Sequence, residues 1–146
     1  MKPQSYDIKN TDDSFTYEFD SRGPKGAIKK MILFKRHEQQ DVFELIFGDF
    51  DNNTQSVDVN TVTDNGDRNK IIATVIECVR IFFQHQPGAW VVFRGSSISR
   101  NRLYRAAISN NIELFSKDFD LFGITNVGME PFVKTGAYIA FAIARK

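Results

Sequence analysis

The 146 residues fit one domain, since domains cluster near ~100–150 residues and two separate cores of that size would each be marginal. With 42% hydrophobic and 25% charged residues the composition is that of a globular chain and excludes a disordered one, while 19 basic against 18 acidic residues exclude a histone-like coat for nucleic acid. A single cysteine, Cys78, excludes an intrachain disulfide and a cysteine zinc site.

Phenylalanine is the compositional outlier, with 14 copies against four Tyr and one Trp, and each buried ring removes ~150–250 Å² from water. Met-Lys-Pro-Gln-Ser at the start lacks the apolar run of a signal peptide. No apolar stretch approaches the ~20 residues of a membrane helix, so no membrane partner and a cytoplasmic location are expected.

Residues 1–13 are polar and read as a flexible tail, followed by one domain over 14–146. Phe15, Tyr17 and Phe19 alternate with polar residues at the period of a half-buried strand. Ser21 to Gly26 is rich in turn formers, and Ala27–Arg36 reads as a second strand. A polar loop, His37 to Asp41, leads to a third strand over Val42–Phe47, completing an antiparallel meander. Gly48 to Asn53 reads as a loop; it lacks the spaced ligands and closing glutamate of a calcium site. Val57, Val59 and Val62 suggest a short edge strand.

The strongest helical pattern follows. Asn65-Gly66-Asp67 offers N-cap chemistry, and Ile71, Ile72, Val75, Ile76, Val79, Phe82 and Phe83 recur at helical spacing until Pro87 stops the ladder, which predicts a helix over about 66–86. Cys78 falls inside it and reads as a small buried thiol. His85 sits near its C-terminus, where the dipole suits it, and neither His85 nor His37 has a partner at metal-ligand spacing. Ala89–Phe93 predicts a strand, and a second helix over about 97–111 begins near Ser97 or Ser99. Phe119–Ile124 predicts a strand, Gly128–Gly136 a loop, and Ala137–Ala144 a last strand. The fold class is therefore α+β, with a mainly antiparallel twisted sheet, an N-terminal three-stranded meander and two principal helices.

The segment richest in chemistry is Gly95-Ser96-Ser97-Ile98-Ser99-Arg100-Asn101-Arg102-Leu103-Tyr104-Arg105. A helix start leaves backbone N–H groups unpaired and carries roughly half a positive charge. Glycine admits a ligand to the backbone, and serine hydroxyls add donors. Arginines there meet the positive end of the dipole, which favours a negative neighbour, either a ligand or acidic side chains of the fold. The anion-binding set is Gly95, Ser96, Ser97, Ser99, Arg100, Arg102 and Arg105; the plainer reading is a serine cap with arginines paired to acids elsewhere. Arg22, Lys25, Lys29, Lys30, Lys35 and Arg36 form a second basic group, read as solvated edge protection or as part of a phosphate groove. The candidate partners are a phosphate-bearing small molecule or nucleic acid, and homo-oligomerisation is the third reading.

One enzymatic pattern stands beside these. Gly95-Ser96 followed by Asp118-Phe119-Asp120 is similar to the nucleotidyltransferase arrangement, in which two carboxylates on one strand face hold magnesium. The spacing is longer than that superfamily shows, and Glu130, the next acid, falls in a loop. No cofactor is otherwise implied, and whether the chain is an enzyme stays open at this point.

The run Phe15-x-Tyr17-x-Phe19-x-Ser21-x-Gly23-x-x-Gly26-x-Ile28-x-Lys30 with Phe47-Gly48-Asp49, Asn65-Gly66-Asp67, Ala73-Thr74-Val75 and the Gly95–Arg105 segment resembles a family of small uncharacterised bacterial proteins of about 150 residues. The resemblance spans nearly the whole chain and implies no activity, substrate or cofactor.

Overall fold

The computed structural model describes residues 4–58 and 63–146. The fold is α+β, with nine mostly antiparallel strands and three helices among the described residues. Those residues group into two compact units. One unit comprises the described residues of Met1–Lys35 and Leu45–His85, and the other Arg36–Glu44 and Gln86–Lys146.

The first unit holds β1 (Lys9–Asn10), β2 (Thr16–Gly23), most of β3 (Gly26–Arg36), the later part of β4 (Val42–Asp51), β5 (Ser56–Asp58) and α1 (Arg68–His85). Its strands run in the order β1-β2-β3-β4, with β5 on the end of β4. β2 and β3 form an antiparallel hairpin that closes with Gly23 opposite Gly26, and Gly26 has φ +88°, a conformation side chains rarely adopt. The apolar face of β3 meets α1, with Phe34 and Phe82 stacked at 4.1 Å. Tyr17 is edge-on to Phe34 at 5.5 Å. Such ring pairs add ~0.5–1.5 kcal/mol beyond their burial.

Three expectations change in this unit. The stretch expected as a tail contains β1, paired with β2, and Tyr6, whose ring stacks on Phe19 at 5.7 Å. β4 continues to Asp51, through the expected Gly48–Asn53 loop. An acid can occupy that strand because Lys30 neutralises Asp49. Lys30 itself, expected on a solvated face, is fully buried. Val57 lies in β5, but Val59 and Val62 fall outside the described residues.

The second unit begins with Arg36 and Val42–Glu44 and continues with β6 (Trp90–Phe93), α2 (Ile98–Asn110), α3 (Ile112–Asp118), β7 (Phe119–Thr125), β8 (Gly128–Pro131) and β9 (Ala140–Arg145). Val42–Glu44 pairs parallel with β6, and the order runs on to β9, β7 and β8 through antiparallel pairs. Phe93 stacks on Phe141 at 5.3 Å in its core. β8 occupies part of the expected Gly128–Gly136 loop, because a tight turn folds Gly128 back opposite Thr125. β9 starts at Ala140 rather than Ala137, and Tyr138 before it is buried. The two principal helices lie within two residues of their expected ends.

Candidate functional site

The Gly95–Arg105 segment forms the start of α2 in the second unit. Ser97 is the N-cap, its hydroxyl accepting the Arg100 N–H at 3.2 Å. That decides between the two serines the sequence offers; Ser96 and Ser99 are exposed. The Gly95 N–H donates to Asn101 Oδ1 at 2.6 Å, and Asn101 Nδ2 donates to the Ile139 carbonyl at 3.0 Å. A Cβ on Gly95 would come within 2.7 Å of the Asn101 nitrogen. The glycine therefore lets β6 approach the helix closely, and its N–H is already paired.

The arginines divide by partner. Arg105 donates to the Gly136 carbonyl at 2.8 Å, tying α2 to the segment before β9. Arg100 is half-buried, and its charge opposes the upward push that burial gives the Tyr104 hydroxyl. Arg94 and Arg102 are exposed and form no ion pair with a described residue. No acid stands in the first turn of α2. The helix start thus gathers exposed Arg102, Ser96 and Ser99, while Gly95, Ser97 and Arg105 are engaged within the fold. Tyr104 lies edge-on to Phe93 at 6.2 Å, which uses the ring in packing.

Asp118 and Asp120 do not share a strand face: Asp118 ends α3 and only Asp120 is in β7. Among the described residues no group of three or more His, Cys, Asp or Glu side chains is placed to hold a metal ion. Cys78 is buried in α1, and burial pushes its thiol up to about 12. His85 contacts the Ile81 carbonyl at 3.0 Å and the Ser14 hydroxyl at 3.3 Å.

The first unit holds a polar network that sequence reasoning missed. Lys30 donates to Asp49 Oδ1 at 2.5 Å and to the Thr63 carbonyl at 2.8 Å, while the Thr63 N–H donates to Asp49 Oδ2 at 3.1 Å. Buried Asn65 donates to the Gly26 carbonyl at 2.9 Å and accepts from the Lys25 N–H at 2.8 Å. Asp67 Oδ2 accepts from Tyr6 at 2.5 Å and from Ser21 at 2.6 Å. The available signal was the Asn65-Gly66-Asp67 triplet before a helix; its link to residue 6 spans 61 positions, beyond any local pattern.

A family model matches residues 2–146, that of a family of unknown function (DUF6934). No curated protein and no solved structure matches the chain. No helix among the described residues is long and apolar enough to cross a membrane.

Proposed function

The chain belongs to a family of unknown function (DUF6934), so its own side chains must supply the functional reading, and we propose a binding module that receives a phosphate or similar anionic group at the start of α2. The observation that carries this reading is Arg102, exposed in the second turn of a helix whose first turn holds no acid, and without an ion-pair partner among the described residues. Arg94, three residues before the cap, is likewise exposed and forms no ion pair with a described residue. Cations at the positive end of a helix are unfavourable by roughly 0.3–1 kcal/mol, and a bound anion reverses that sign. Arg102 and Arg94 would supply charge-assisted hydrogen bonds, and the Ser96 and Ser99 hydroxyls would orient the ligand. Arg100 adds to the local potential, whereas Gly95, Ser97 and Arg105 hold the frame.

Two phosphate sources share this chemistry, a small molecule and a nucleic-acid backbone. Calorimetric titration with inorganic phosphate, a nucleoside monophosphate and a short single-stranded oligonucleotide separates them. Binding should weaken as salt rises, more steeply for the oligonucleotide. Arg102→Ala should weaken it about tenfold or more, since a hydrogen bond to a charged group contributes ~1.5–3 kcal/mol. Absence of binding by all three, or equal affinity in Arg102→Ala, would sink the reading.

A further inference from the structure

Within the first unit, Ser5, Tyr6, Asp7, Arg22, Asp67 and Lys70 line an open concavity of about 440 Å³. Its charges are of both signs. Arg22, Lys70 and Asp7 form no ion pair with any described residue, although all three border the same space. Asp67 is partly matched: Oδ2 accepts from Tyr6 and Ser21, but Oδ1 is buried with no hydrogen-bond partner. The exposed acid on this lining is therefore Asp7, while Asp67 is turned into the fold.

Two of the lining residues, Tyr6 and Asp67, are held by hydrogen bonds within the fold. Tyr6 is fixed through its N–H to the Thr74 hydroxyl at 2.9 Å, and its own hydroxyl donates to Asp67 at 2.5 Å. That hydroxyl also accepts the Arg22 N–H at 3.0 Å, and the ring stacks on Phe19 at 5.7 Å. Lys70 Nζ lies 4.3 Å from the centroid of the same ring. An exposed cation–π contact is weaker than a hydrogen bond between charged groups. The ammonium can thus turn to a ligand at a net gain. A concavity bordered by unpaired charges of both signs suits a molecule that carries both signs, because one such molecule satisfies both without bringing a counterion.

We infer that this concavity binds a small zwitterion with one ammonium and one oxyanion, of the amino-acid or phosphoethanolamine type. The oxyanion pairs with Arg22 and Lys70, and the ammonium with the Asp7 side of the lining. This site is built from different residues than the α2 start and stands or falls independently of it.

Calorimetric titration of the full chain with glycine, L-alanine, L-serine and phosphoethanolamine tests the inference, with acetate and methylamine as single-charge controls. At least one zwitterion should bind saturably and at least about tenfold more tightly than either control. A preference among them separates a carboxylate from a phosphate as the oxyanion. Lys70→Gln and Asp7→Asn should each weaken binding by about tenfold, while Lys134→Gln in the second unit should leave it unchanged. Asp7 is exposed, so at least that variant is expected to fold, which circular dichroism checks. The inference is overturned if no zwitterion saturates, if acetate binds as well as the zwitterions, or if folded Asp7→Asn binds like the parent.

Discussion

Lys30 has no solvent exposure, and its ammonium is met by Asp49 and by the Thr63 carbonyl. Taking two charges out of water costs several kcal/mol per ion, and their attraction repays that only when the remaining donors and acceptors are matched. Here Asp49 has one oxygen on Lys30 and the other on the Thr63 N–H. Removing one partner strands the other, so Lys30→Ala should cost about 3–5 kcal/mol, read as a lower urea midpoint at unchanged slope. Lys30→Met with Asp49→Leu should recover much of the loss. A cost below about 1 kcal/mol for the single variant, the scale of an exposed pair, would show that the pair is solvated. A clue to this burial was present in the sequence: Lys30 shares the period-two face of Ile32 and Phe34, both buried. What could not be read was its partner, because residue 49 is reached only through the pairing of strands.

At the scale of elements, α1 was legible because seven apolar residues mark one face and Pro87 stops it, and the structure places six buried residues on it. α2 was legible mainly from its cap, since its only buried residue is Ile108 and its outer positions include Ile98 and Leu103, 74% and 57% exposed. A helix with so little buried depends more on its terminus. Ser97→Ala should therefore destabilise by about 1 kcal/mol, whereas Ser96→Ala and Ser99→Ala should each stay within about 0.5 kcal/mol. Equal losses at all three serines in thermal denaturation would argue against Ser97 as the cap. The candidate site was legible in its residue types but not in their division of labour. Spacing alone cannot tell that Gly95 packs against the Asn101 backbone or that Arg105 reaches the carbonyl of Gly136, 31 positions away. β1 and β8 were missed because neither carries an apolar run. Lys9-Asn10 is wholly polar, and Gly128–Pro131 is exposed throughout and contains Gly, Glu and Pro, unlike the equally short but apolar β6.

For the molecule as a whole, two buried acids make stability depend on alkaline pH. Tyr17 and Cys78 are both fully buried within the first unit, and burial, the leading cause in each, pushes each group up to about 12. Their ordinary values are 10.0 and 9.0. Below about pH 8 both groups keep their protons in folded and unfolded chains, so they add no pH dependence. Above that, the unfolded chain releases protons that the folded chain retains. Stability rises with pH only where the unfolded state binds more protons; here it binds fewer, so stability falls as pH climbs toward 12. A negative charge on Cys78 also raises Tyr17, so losing one proton makes loss of the other harder and the two act as a coupled pair. Lysines titrate in the same range, and comparison with a Tyr17→Phe, Cys78→Ala chain removes that background. Urea midpoints measured from roughly pH 8 to pH 11 should fall more steeply for the parent than for this double variant. Parallel curves would mean that neither group is held neutral by the fold, and that water reaches the core of the first unit.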